Sequence, residues 1–273
     1  MLTYDMGNIC YDLNLNGERN DMARAASIDL DEIDRFARMA DEWWDADGPM
    51  APLHRLNPTR LRYCRQWLCA HFDLDDTGFR PLGGLALLDV GCGAGLLSEP
   101  FARMGAAVSA IDAGAETIAA AKAHATGQGL EVDYQAVAAE DLAATGAQFD
   151  VVVSMEVIEH VADVPGFIAA LVGLTRPGGA LLLATMNRTP KAYLQAILAA
   201  EHVLRWVPVG THDWQRFQKP AELGRFLRRA GADLHDVTGM KYLPRQGEWR
   251  LGRDAGVNYL AYAVKPGACR TQK

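Results

Sequence analysis

Glu156, Glu159 and His160 have the types and spacing that suit chemistry best in this sequence. They follow an apolar run, residues 149–154. A helix beginning at Glu156 would put them at i, i+3 and i+4 on one face. Two carboxylates and an imidazole so placed can hold a divalent ion, supply a general base, or simply cap a helix start. His160, with Glu156 beside it, is the candidate catalytic group. A second cluster is Asp89-Val90-Gly91-Cys92-Gly93-Ala94-Gly95, which closes the apolar run 85–88. Glycines there let the backbone take positive φ and approach a ligand closely, while the next helix aims its first N–H groups at it. A glycine at position 96 would complete the dinucleotide fingerprint; Leu96 stands there, which weakens a nicotinamide-dinucleotide reading. Asp112, about 20 residues past the turn, is placed to accept hydrogen bonds from both hydroxyls of an adenosine ribose, or to cap the next helix. Arg60 reads either as a solvated cation or as a fork for a carboxylate.

The elements that must position these groups alternate. Apolar runs at 85–89, 107–111, 132–137, 149–154 and 181–185 read as strands. Helical patterns at 96–104, 115–125 and 167–174 lie between them, and Pro177-Gly178-Gly179 reads as a break. The alternation predicts an α/β doubly wound sheet. Ligands in such sheets sit at the carboxyl ends of the strands, and Asp89, Gly91, Asp112, Met155 and Asn187 all lie at those ends. Upstream, Asp29 and Glu32 fit a capping box for a helix ending at Trp43-Trp44. A second helix is predicted from an Asn57 cap, with Pro58 at its start, to Cys69 or Phe72, carrying Arg60 in its first turns. Glu140-Asp141, after the third strand, could meet an adenine amino group or cap a helix. Residues 189–209 are mostly helical in pattern, and suit a core-facing helix, a lid over an apolar substrate, or a helix lying in a membrane interface. A helix at 217–230 and two closing strands at 234–241 and 258–265 complete the chain, the strands as an antiparallel pair. The division is residues 1–26, a disordered or mis-called N-terminus with Met22 as a second possible start; a helical segment at 27–80; and an α/β domain at 81–267 with an apolar insert at 187–211.

Composition narrows the classes. In 273 residues the formal net charge is −7, against the basic face that a general nucleic-acid binder needs. Hydrophobic residues make up 49%, enough for a sizeable core. No run is long and apolar enough to span a bilayer, and no signal peptide is apparent. Cys10, Cys64, Cys69, Cys92 and Cys269 show no metal-ligand spacing and fit a reducing cytoplasm.

The glycine turn resembles the first motif of S-adenosylmethionine (SAM)-dependent methyltransferases, and other segments resemble one family of them. Trp43-Trp44-Asp45, Pro52-Leu53-His54-Arg55-Leu56-Asn57-Pro58 with Arg60, Met155-Glu156-Val157-Ile158-Glu159-His160, Gly210-Thr211-His212-Asp213-Trp214 and Lys219-Pro220-Ala221-Glu222-Leu223 are similar to the ubiquinone biosynthesis O-methyltransferases. The resemblance runs over residues 33–265. It implies a Rossmann-like sheet of seven strands, mostly parallel with an antiparallel last strand. It implies two O-methylations, on a polyprenylated hydroxyphenol and on demethylubiquinol. SAM would be held at Arg60, Asp89, Gly91, Gly93, Asp112 and Met155. Some members are described as metal-dependent through the Glu-x-x-Glu-His group, so Glu156, Glu159 and His160 become candidate ligands for Mg²⁺ or another divalent metal. The insert implies a peripheral hold on a membrane, in reach of other ubiquinone biosynthesis enzymes, while the cysteines and the negative charge point to a cytoplasmic protein with no nucleic-acid partner. Two other readings compete: methylation of RNA 3′ ends, where a similar Glu-x-x-Glu-His group occurs, and a SAM-binding scaffold without turnover.

Overall fold

The computed structural model describes Asp29, Ile33 and residues 42–195, 213–243 and 246–267. The strands are β1 (Ala86–Val90), β2 (Ala107–Asp112), β3 (Asp133–Ala136), β4 (Phe149–Met155), β5 (Thr175–Met186), β6 (Asp233–Leu243), β7 (Glu248–Gly252) and β8 (Asn258–Val264). The main helices are α1 (Ala51–Phe72), α2 (Ser98–Arg103), α3 (Ala115–Gly127), α4 (Ala139–Ala144), α5 (Val164–Leu174) and α6 (Pro220–Ala230). One sheet of eight strands runs in the order β3-β2-β1-β4-β5-β8-β6-β7. The first five are parallel; β8 is antiparallel to β5 and to β6, and β7 pairs antiparallel at the edge.

Strands buried on both faces carry the core, which is why they read as continuous apolar runs. Along β4, Val151 and Val153 join one cluster with Leu68 of α1 and Phe101 of α2. Val152 joins the other with Ile168 and Leu171 of α5 and Leu223 of α6. Alternation of side chains across a strand thus fills a layer on each side. Full burial of each such side chain contributes about 1.5–3 kcal/mol.

The elements depart from their sequence patterns in four places. The helix expected from Asn57 begins at Ala51, with Pro52 in its first turn, so Pro58 lies inside it. Asn57 is therefore an interior residue, and its amide does other work described below. The break at Pro177-Gly178-Gly179 lies inside β5. Pairing with β4 shifts there from Phe149↔Thr175 to Val151↔Ala180, an irregularity that accommodates a proline. The sheet has eight strands and not seven. The extra one, β7, is a short edge strand whose exposed Glu248, Arg250 and Gly252 alternate with half-buried Trp249 and Leu251. Finally, the sequence after β4 does not form an α-helix at Glu156; a single 3₁₀ turn at Ile158–His160 follows the strand. Most of the expected helix at 29–44 and of the insert at 187–211 lies outside the described residues.

Candidate active site

The glycine turn sits at the carboxyl end of β1. The N–H groups of Gly91 and Cys92 both donate to the Ile111 carbonyl of β2, at 2.8 and 3.0 Å. Gly93 has φ 54°. A Cβ on it would lie 2.2 Å from the Trp43 ring. Only glycine satisfies both the backbone and the neighbour. Asp89 is 2% exposed and accepts a 2.6 Å hydrogen bond from the Ser98 hydroxyl of α2. Burial pushes its carboxyl up to about 6, against the pull of the Ser98 hydrogen bond. Asp89 thus braces the turn from beneath. Asp112 ends β2 with one oxygen accepting from Gly93 N–H at 3.0 Å and the other from Gly114 N–H at 2.9 Å. Burial raises its carboxyl, and these N–H groups oppose the rise. Gly114, not Asp112, is the N-cap of α3. Met155 closes β4 as a buried residue beside them.

Arg60 is 3% exposed. Its Nη1 donates to the Asn57 side-chain oxygen at 3.0 Å, and the Asn57 amide donates to the Leu96 carbonyl at 2.9 Å. Asn57 therefore ties α1 and its arginine to the end of the glycine turn. Arg60 Nη2 forms an ion pair with Glu156. Arg60 Nε and Nη2 and both Glu156 oxygens are buried and lack a well-oriented hydrogen bond among the described residues. Glu156 has φ 55°, a strained backbone for a residue with a long side chain. Burial pushes its carboxyl up to about 7, although Arg60 pulls it down. Both oxygens of Glu140, in the first turn of α4, are likewise buried without a hydrogen-bond partner.

The expectation that Glu156, Glu159 and His160 share a helical face is corrected. Without an α-helix at Glu156 the i, i+3, i+4 geometry is lost. Glu156 turns to Arg60, while Glu159 is buried and accepts a 2.7 Å hydrogen bond from the Thr185 hydroxyl of β5. Among the described residues no group of three His, Cys, Asp or Glu is arranged to hold a metal ion. The three candidate ligands do not fit a shared divalent ion in this arrangement. His160 is half-buried in the 3₁₀ turn and bears electrostatically on Glu156.

Several positioning residues had no role in the sequence patterns. Trp44 donates its indole N–H to the Ala94 carbonyl at 3.1 Å and stacks on His124, ring centroids 3.5 Å apart. His124 Nδ1 lies 2.6 Å from the buried Glu99 carboxylate, and His54 Nε2 is 2.8 Å from the Trp43 carbonyl. Residues 43–57 thus strap the glycine turn. The signal was the double tryptophan itself, which has no reason to stand beside a turn unless it covers something.

A methyltransferase-domain family model matches residues 88–183. A solved magnesium protoporphyrin IX methyltransferase from Synechocystis, with bound SAH, shares the fold with a TM-score of 0.56 at 18% identity, over 91% of this chain and 99% of that one. The domain match, the strand order and this likeness show the fold of a methyltransferase domain. The relatives are narrower. Over 248 residues, 91% of this chain and 98% of the relative, it is 50% identical to the ubiquinone biosynthesis O-methyltransferase of Parvibaculum lavamentivorans. Over 240 residues it is 50% identical to that of Sinorhizobium fredii, covering 88% and 97%. The chain belongs to the ubiquinone biosynthesis O-methyltransferase family.

Proposed function

We propose that this chain methylates a ring hydroxyl of the polyprenylated phenol and quinol intermediates of ubiquinone assembly, with His160 as the general base. The observation that carries the reading is the buried Arg60 guanidinium beside the glycine turn, with the His160 segment leaving the neighbouring strand. SAM supplies an electrophilic methyl group on a sulfonium. Arg60 would take its carboxylate, the free lone pairs of Asp112 its ribose hydroxyls, and Glu140 its adenine amino group. Arg60 Nε and both Glu140 oxygens, buried without a hydrogen bond among the described residues, fit those demands, since an unmet buried polar group is costly. A phenol has a pKa of about 10, so at neutral pH its hydroxyl must be deprotonated as the methyl arrives. His160 would accept that proton.

Purified protein given SAM and a short-chain prenylated catechol should form the methyl ether. His160→Ala should cut turnover by about 10²–10⁴-fold while SAH still binds; wild-type turnover in that variant would remove His160 from the reaction. Turnover that survives exhaustive chelation would agree with the divided partners of Glu156 and Glu159, and metal-dependent turnover would restore the shared site.

Peripheral membrane contact is a second part of the reading. Tyr193 is 44% and Leu194 58% exposed where the chain enters the apolar insert. A substrate with a prenyl tail is delivered from lipid. No helix among the described residues is long and apolar enough to cross a membrane. Liposome flotation should weaken when Tyr193 and Leu194 are both changed to Ser, and equal flotation would reject this entry point.

A further inference from the structure

Arg60 presents two edges, and they are occupied differently. Its Nη1 is held by the Asn57 side chain. The Nε/Nη2 edge is the one that accepts a carboxylate as a paired fork. Glu156 stands at that edge, ion-paired with Nη2. Neither Glu156 oxygen makes a well-oriented hydrogen bond among the described residues, and Nε has no hydrogen-bond partner there at all. The contact is also held by a backbone at φ 55°, which a glutamate rarely adopts. An ion pair selected for stability would be expected to close both bonds. This one neutralises a buried guanidinium imperfectly and leaves a better-shaped carboxylate something to gain.

We infer that Glu156 is an internal stand-in for the cofactor carboxylate, displaced from Arg60 when SAM or SAH binds. The inference rests on the proposed role of Arg60 and adds a competitor to it. Before cofactor arrives, Glu156 prevents an unpaired buried cation, which would be strongly unfavourable. In exchange it lowers cofactor affinity, because every binding event must first release it. The affinity of the site is then set by the difference between two carboxylates on one arginine.

The test compares two probes on the full chain by titration calorimetry: SAH, which has the carboxylate, and 5′-methylthioadenosine, which lacks the whole amino-acid part. Glu156→Gln should bind SAH about tenfold more tightly than the wild type, the scale of one hydrogen bond to a charged group. Its affinity for methylthioadenosine should not change. In an Arg60→Ala background the same substitution should give no gain. Unchanged or weaker SAH binding by Glu156→Gln, with methylthioadenosine binding intact, would overturn the inference and make Glu156 a cofactor contact. Should Glu156→Gln lose both ligands through misfolding, Glu156→Asp decides. Aspartate tolerates the left-handed backbone and withdraws the carboxylate by one methylene, so it should also tighten SAH, and a failure to do so would overturn the inference. Wild-type protein that binds neither probe would instead overturn the cofactor site itself.

Discussion

Asp89, read as a ligand contact, is held by a side-chain hydrogen bond from the Ser98 hydroxyl. The acid at the end of the first strand was legible. Its partner was not, because Ser98 lies nine residues away across a turn whose course depends on three positive-φ glycines. A consequence follows from its burial. The folded carboxyl holds its proton up to about pH 6, above the ordinary aspartate value of 3.8. Its contribution to stability is therefore full below about pH 4 and is lost as pH rises through 6. Asp89→Asn removes that slope. Relative to the wild type it should gain on the order of 3 kcal/mol between pH 4 and pH 8, read from urea midpoints at the two pH values. A relative loss at pH 8 would show that the ionised form is stabilised. Gly93→Ala tests the neighbouring point. The Trp43 ring 2.2 Å from the added methyl must move, so cofactor binding should fall more than 10-fold while the fold persists. Unchanged SAH affinity would mean that the strap over the turn is slack.

At the scale of elements, α1 and the strap before it do what the glycine turn cannot do alone. The helix anchors Asn57 and Arg60 at one end of the cleft and bonds to the far edge of the sheet through the Thr59 hydroxyl and the Trp249 carbonyl, 3.0 Å apart. Its pattern was legible, but its start was not. Asn-Pro is a strong cap signal, and here the tertiary use of the Asn57 amide overrides it. Asn57→Ala leaves Arg60 Nη1 and the Leu96 carbonyl without their partner, so it should cost about 2 kcal/mol of stability and weaken SAH binding together. A loss of stability with unchanged SAH affinity would mean that Asn57 supports the fold but not the arginine. The strand β7 was hidden for a different reason. Five residues with alternate side chains facing solvent carry too little apolar signal to stand apart from a connection. The helix expected at Glu156 is absent because Glu156, the residue after the strand, is left-handed, and a 3₁₀ turn follows it.

The molecule as a whole gathers distant segments at the carboxyl ends of its central strands. The parallel strands β1, β2 and β4 deliver the turn, Asp112 and Met155–Glu156 side by side, as the topological rule for such sheets requires. That much was readable from the alternation of elements, because strands buried on both faces are conspicuous. The strap of tryptophans and the Arg60–Glu156 contact were not, because they join residues 50 and 96 positions apart. The central reaction is methyl transfer from SAM to a ring hydroxyl. It is tested most directly by incubating the purified protein with methyl-labelled SAM and short-chain forms of the two ring precursors, a prenylated catechol and a demethylated quinol. The label should appear in a methyl ether on the ring, with SAH formed in equal amount. SAH binding without label on either ring would contradict the account and leave a cofactor-binding protein whose acceptor lies elsewhere.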